Sequence, residues 1–299
     1  MSIYIDDWKR QRQGWAQGRD EASLPEIRLI ALDMDGTLLD EKGVLAQESK
    51  DALLAAMERG VHVVIATGRV FGALPQDVVC VPGIEYAITS NGANIIRLKD
   101  RETIYSDLID GDRLDGIMDI LEDEAIMKEV FFDHQVFAQK SCLDHLEDYG
   151  ICSEKSKRYT LTTRKPVPDV MKLIRENQNK LENINLIFKD LNRRSQVWEY
   201  LKTVDGLTVC SSMPYNLEIG GVNTSKAAAL DELASILNVP REQIMACGDS
   251  SNDAAMLRHA GISVAMGNAE ESVKSEAMMV TKSNAEHGVA YAIQQLVLR

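Results

Sequence analysis

The sequence predicts an α/β protein, a doubly wound and mostly parallel sheet interrupted by an inserted α+β domain. Two observations carry that prediction. Short apolar runs of strand length, RLIALD, VHVVIAT, YAITS, QIMACGD and ISVAMG, lack polar alternation, as do strands covered on both faces, and helical stretches stand between them. From about residue 94 to about 215 that alternation gives way to adjacent strand-like pieces, such as EVFFD and VFAQ, mixed with helices, which is an α+β pattern.

Taken in order, residues 1–26 are polar and mixed in charge yet hold Trp8 and Trp15, and they read as a tail or a docking helix. Pro25 then introduces RLIALD, a strand that ends abruptly in DMDGT. QESKDALLAAMER places Leu53, Leu54 and Met57 on one helical face, with Gly60 suited to cap it. VHVVIAT and YAITS follow as buried strands. Within the insert, NIIRLK and TIYSDLI read as strands, and LDGIMDILEDE, VPDVMKLIRENQNK and SQVWEYLKTV as helices. The C-terminal third then alternates again: KAAALDELASIL, QIMACGD, NDAAMLRHAG, ISVAMG and GVAYAIQQLVL. The expected organisation is an extension over 1–26, a core of 27–93 and 216–299, and an inserted domain of 94–215.

Composition narrows the function. With 45% hydrophobic and 26% charged residues the chain is an ordinary globular protein, and disorder or a disulfide scaffold fits poorly. A net charge of −13 repels phosphodiester backbones and anionic lipid, so neither nucleic acid nor a membrane surface is expected as a partner. Five cysteines without a CxxC pair, no apolar run of about 18 residues and no signal-peptide core point to a cytoplasmic protein.

Four polar clusters sit where apolar strands end, which is where open α/β sheets bind ligands. In DMDGTLLD, Asp33 and Asp35 lie two apart, and Gly36 lets the backbone bend and leaves amides facing an anion. Carboxylates this close repel unless a cation intervenes, and oxygen-only ligands suit Mg²⁺. In ATGR, Thr67 closes the second strand, where its hydroxyl and the adjacent Gly68 amide can hold a phosphoryl oxygen. Lys226 in NTSKAAAL stands at the start of a helix, where free amides and the ammonium both favour an anion. In GDSSNDAAML, Asp249 ends a strand while Asn252 and Asp253 open the next helix, a second acidic cluster that completes a metal site. Taken singly, each cluster also suits a turn, a cap or a solvated helix residue. Their joint occurrence in this order favours chemistry.

DMDGTLL, ATGR, SKAAAL and GDSSNDAAML, with SNGA after the third strand and AMGNA near the end, resemble the haloacid dehalogenase superfamily, and within it the Cof-type phosphatases with a large α/β cap. The resemblance covers residues 27–299. It implies a Rossmann-like core in which Asp33 is the nucleophile, Asp35 the acid/base, Thr67 and Lys226 phosphate-binding catalytic residues, and Asp33, Asp35 and Asp249 the holders of Mg²⁺. Gly36, Gly68, Asn252 and Asp253 support them. Where the family lysine is usually followed by glycine this chain has Ala227, and the extension over 1–26 lies outside the pattern.

The implied activity is Mg²⁺-dependent hydrolysis of a small phosphomonoester, a sugar phosphate or a cofactor- or nucleotide-like phosphate, through an aspartyl-phosphate. Related transport ATPases carry Thr where this chain has Asp35, which favours a hydrolase. A phosphosugar mutase would use the same Asp pair, although such mutases usually have a smaller helical cap. A receiver-type phosphoacceptor module, from another functional class, needs no insert. The partner is a small phosphorylated metabolite, whose leaving group the inserted domain is expected to read.

Overall fold

The structure, a computed structural model, describes residues 25–298. The expectation for 1–26, including Trp8 and Trp15, therefore lies outside the described residues except for Pro25 and Glu26. In chain order the strands are β1 (Leu29–Leu32), β2 (His62–Ala66), β3 (Tyr86–Thr89), β4 (Asn94–Arg97), β5 (Glu102–Ser106), β6 (Ile126–Phe132), β7 (Gln135–Gln139), β8 (Arg164–Val167), β9 (Leu181–Phe188), β10 (Thr208–Cys210), β11 (Asn216–Gly220), β12 (Ile244–Gly248), β13 (Ile262–Ala265) and β14 (Met279–Val280). One sheet has the order β14-β13-β12-β1-β2-β3-β4-β5, the other β10-β11-β9-β6-β7-β8.

The chain divides into two compact units. The first comprises the described residues up to Ala66, Gln76–Tyr86 and those from Leu230 onward; the second comprises Thr67–Pro75 and Ala87–Ala229.

In the first unit β1 pairs in parallel with both β2 and β12, and β12–β13 and β13–β14 are parallel too. Apart from His62 and Ser263 these strands are free of polar side chains, as strands covered on both faces require: Leu29, Ile30, Leu32, Ile65, Met245 and Val264 are all buried. The helix Gln47–Glu58 buries Ser49, Ala52, Leu53 and Ala56; of the face expected from Leu53, Leu54 and Met57, only Leu53 is fully buried and the other two are half-buried, and Gly60 takes φ +81 just beyond the helix. The helix expected from NDAAMLRHAG divides into a 3₁₀ turn, Ser251–Asp253, and a helix, Ala254–His259.

In the second unit the six-stranded sheet is antiparallel apart from the β7–β8 pair. One face packs Ile126, Val130, Ile184, Leu186, Leu217 and Ile219 with the helices Val170–Glu176 and Leu191–Leu201. In place of the one helix expected from LDGIMDILEDE there are three short helical segments, Gly111–Leu114, Asp115–Ile117 and Met118–Leu121, with Gly116 in the middle one. β9, β11 and the helix Glu154–Thr163 lie where the sequence reading placed no element. The reason for β9 and β11 is a buried polar row on the sheet's other face. Glu129, Asn185 and Glu218 stand opposite one another across three strands, so the alternating residues are polar although they are buried.

That row is internally satisfied. Arg164 grips Glu129 in a bidentate pair, Nε to Oε1 at 2.7 Å and Nη2 to Oε2 at 2.9 Å, and Asn185 Nδ2 donates to the same Oε2 at 2.9 Å. Asn216 Nδ2 bridges Asn185 Oδ1 at 3.0 Å and Glu218 Oε1 at 2.9 Å. Arg164 Cζ stands over the Tyr159 ring, 4.9 Å from the ring centroid. Glu129 is fully buried, so removing its cation leaves an uncompensated charge. Arg164→Met should therefore cost about 3–5 kcal/mol by urea denaturation, and Arg164→Met with Glu129→Leu should recover most of it. A single variant within about 1 kcal/mol of wild type would contradict this reading of the pair.

Candidate active site

Buried strands that run in one direction end on one edge. In the first unit β1 and β12 pair from Leu29↔Ile244 to Leu32↔Cys247, and Asp33 extends the ladder by donating its N–H to the Cys247 carbonyl at 3.0 Å. The residue after β12 is Gly248's neighbour Asp249. Strand pairing thus carries Asp33 and Asp249 to the same edge, and the following 3₁₀ turn adds Asp253. One carboxylate oxygen from each of Asp33, Asp249 and Asp253 lies within 4.8 Å of the others.

Local structure fixes each acid. Asp253 is fully buried, and its Oδ2 accepts the Asp249 and Ser250 N–H groups, both at 3.0 Å. It closes a capping box with Ser250, while Asn252 Oδ1 accepts the Ser250 hydroxyl at 2.6 Å. Thr37 Oγ1 donates to Asp249 Oδ1 at 2.9 Å. Gly36 takes φ +84, and a Cβ there would stand 2.5 Å from Asp249 Oδ2, so only glycine gives both the turn and the approach. Asn268 Nδ2 donates to the Gly36 carbonyl at 2.8 Å, and Asn268 Oδ1 accepts the Asn284 N–H at 2.9 Å.

Asp35 stands differently from the expectation. β1 ends at Leu32, Met34 is buried, and the turn at Gly36 follows, so Asp35 is exposed and its carboxylate lies outside the group of three. Asp253, expected only in support, is inside it. Thr37 and Asn268 carry no separate signal in the sequence beyond their place in DMDGT and AMGNA, since each serves the loop behind a carboxylate.

Thr67, Gly68 and Lys226 belong to the second unit. Thr67 directly follows β2, and it is buried, as is Lys226. Thr67 Oγ1 accepts the Arg69 N–H at 3.1 Å, and the Thr67 carbonyl accepts the Asn91 N–H at 3.0 Å. A Cβ on Gly68 would stand 3.0 Å from Asn91 Oδ1, and one on Gly92, at φ +103, would run into the Ser225 carbonyl. The Ser90–Gly92 turn therefore touches both the Thr67–Gly68 turn and the residue before Lys226.

The acidic group offers carboxylate oxygens alone, the donor set of a hard cation. Oxygens on opposite sides of Mg²⁺ lie about 4.2 Å apart, at about 2.1 Å from the ion each, and a spread within 4.8 Å needs little closure to reach that. Among the described residues, no helix is long and apolar enough to cross a membrane.

A family model described as haloacid dehalogenase-like hydrolase matches residues 30–293. The chain is 32% identical over 291 residues to Phosphatase YwpJ of Bacillus subtilis (strain 168), covering 91% of this chain and 100% of that protein. It is 31% identical over 279 residues to 5-amino-6-(5-phospho-D-ribitylamino)uracil phosphatase YcsE of the same strain, covering 91% and 97%. A solved haloacid dehalogenase-like hydrolase from B. subtilis superposes with a TM-score of 0.78 at 32% identity, covering 91% of this chain and 100% of that one.

If mutual repulsion of these acids is what a cation relieves, Mg²⁺ at a hundredfold its Kd should stabilise the protein by about 2–3 kcal/mol. In chelator Asp33→Asn should have an equal or higher Tm, and its Mg²⁺-induced rise should shrink. An identical rise in wild type and Asp33→Asn would place the cation elsewhere.

Proposed function

The chain belongs to the haloacid dehalogenase-like hydrolases and is a phosphatase of that superfamily, and on that premise we propose that it hydrolyses a small phosphomonoester in a Mg²⁺-dependent reaction through an aspartyl-phosphate on Asp33. The observation that carries the reading is the convergence of Asp33, Asp249 and Asp253 at the edge where parallel strands end.

Phosphoryl transfer asks the protein chiefly for positioning and charge neutralisation. Asp33 attacks phosphorus in line; the bond to the leaving oxygen breaks as the Asp33 oxygen–phosphorus bond forms. Asp35 gives its proton to the leaving oxygen, then takes one from the water that attacks the phosphorus and frees Asp33. Its exposed position beside the Gly36 turn suits a group that exchanges protons with substrate and water. The Thr67 hydroxyl and Gly68 amide hold a phosphoryl oxygen, and the Lys226 ammonium offsets the charge. Asp33 and Asp249 would hold Mg²⁺, with Asp253 and Asn252 setting the Asp249 loop; when bound, the ion would supply positive charge against the phosphoryl oxygens.

Residues 94–215 read the leaving group. The class of substrate is a sugar phosphate or a cofactor- or nucleotide-like phosphate, in keeping with the ribitylaminouracil phosphate named for one relative. Five free cysteines suit a reducing cytoplasm.

The test is phosphate release from a panel of small phosphomonoesters. Asp33→Asn should lower kcat by about a thousandfold or more while the protein stays folded, and chelation should abolish turnover reversibly. Turnover of Asp33→Asn within about tenfold of wild type, or full turnover in excess chelator, would overturn the assignment.

A further inference from the structure

We infer that Glu182 and Glu218, two buried carboxylates of the six-stranded sheet, are positioning residues for phosphoryl transfer: they hold the Ser90–Gly92 turn in a left-handed conformation that fixes the Thr67 turn and the start of the Lys226 helix. The inference rests on the roles proposed above for Thr67 and Lys226.

The backbone supplies the first observation. Ser90 and Asn91 are consecutive non-glycine residues at φ +51 and φ +57, followed by Gly92 at φ +103. Left-handed residues of this kind are sparsely populated and persist only where the surroundings over-determine them, serine more so than asparagine. All three are buried. The turn is therefore held by something outside itself.

The two side chains show what holds it. Ser90 Oγ donates to Glu182 Oε2 at 2.6 Å, and Asn91 Nδ2 donates to Glu218 Oε2. Each carboxylate is anchored in turn. Glu182 Oε1 accepts the His134 N–H at 2.7 Å and lies 3.3 Å from His134 Nδ1. Glu218 Oε1 accepts from Ser212 Oγ and from Asn216 Nδ2. Glu182 also occupies an irregular place in its strand. β6 and β9 pair Phe131 with Asn183 and Phe132 with Leu181, so Glu182 is the extra residue of a bulge, a device that re-aims one side chain. Burial pushes its carboxyl upward, yet the hydrogen bonds from His134 and Ser90 outweigh burial and hold it below the usual carboxylate range, so it is the charged form that grips the turn.

What the turn fixes completes the argument. The Ser90 N–H donates to the Arg69 carbonyl at 2.9 Å and the Asn91 N–H to the Thr67 carbonyl at 3.0 Å, so the two left-handed residues set both ends of the Thr67–Arg69 turn. Gly92 packs without a Cβ against the Ser225 carbonyl, next to Lys226. A turn released from Glu182 and Glu218 relaxes toward ordinary φ values and takes the Thr67 hydroxyl and the Lys226 helix start out of register. Neither carboxylate need touch substrate.

The test measures kcat and KM for an aryl phosphate and two other phosphomonoesters in wild type, Glu182→Gln, Glu218→Gln and Ser90→Ala. Glutamine at position 218 presents an NH₂ to the Asn91 amide, which can only donate, whereas glutamine at 182 removes the charge and, with its oxygen kept by the His134 N–H, turns the Ser90 hydroxyl from donor to acceptor. Ser90→Ala deletes one hydrogen bond and leaves the carboxylate in place, which keeps the test open should a glutamine variant not fold. The expected result is a fall in kcat of about tenfold in each, with the ranking of substrates unchanged. Because glycine takes positive φ without cost, Ser90→Gly in the Glu182→Gln background should recover much of the loss, an outcome a merely structural role for Glu182 would not give. Folded variants within about twofold of wild-type kcat, a changed substrate ranking, or a loss that Ser90→Gly leaves untouched would each overturn the inference. An inactive wild type would instead sink the phosphatase reading on which it rests.

Discussion

The structure is organised around a repulsion. Parallel strands buried on both faces deliver Asp33 and Asp249 to one edge, and a 3₁₀ turn adds Asp253, so three carboxylates crowd within 4.8 Å in a chain already at net −13. Like charges at such distances cost several kcal/mol unless hydrogen bonds or a cation meet them. Part of that cost is met by the fold itself: Thr37 donates to Asp249, and two backbone N–H groups donate to Asp253. The remainder is what the proposed cation would meet. Gly36 and Asn268, with no chemistry of their own, follow from the need to bring the first turn against Asp249.

Charge recurs in the second unit with a different resolution. Glu129, Glu182 and Glu218 are buried, and each is enclosed by several donors, with Arg164 supplying a full positive charge to the first. Buried carboxylates satisfied in this way make a rigid frame, because removing any one donor leaves a group that cannot turn to water. A rigid frame is what a turn with two left-handed non-glycine residues requires, and that turn borders both Thr67 and Lys226. Fold energetics and the proposed chemistry therefore meet at Ser90–Gly92.

Legibility from sequence follows the same division. β1, β2, β12 and β13 could be read because burial on both faces demands nearly continuous apolar residues, and the acids that follow β1 and β12 stand out by contrast. β9 and β11 could not, since Glu182, Asn183, Asn185 and Glu218 look like solvated positions and are made buriable by partners far away in sequence. The spacing of Asp33 and Asp35 suggested a shared ligand, whereas the chain leaves the strand after Leu32 and puts Asp35 at the surface; Asp253, four residues beyond Asp249, comes back through a capping box. The 3₁₀ turn that produces this return has no sequence period to betray it.

The central claim is that phosphate passes through a covalent bond to Asp33. An acid-quenched single turnover with a radiolabelled phosphomonoester tests it most directly, followed by digestion and location of the label. The account predicts a transient, hydroxylamine-labile label on the peptide that carries Asp33, decaying as inorganic phosphate appears. Phosphate released at the full rate with no label on that peptide at any time would contradict it.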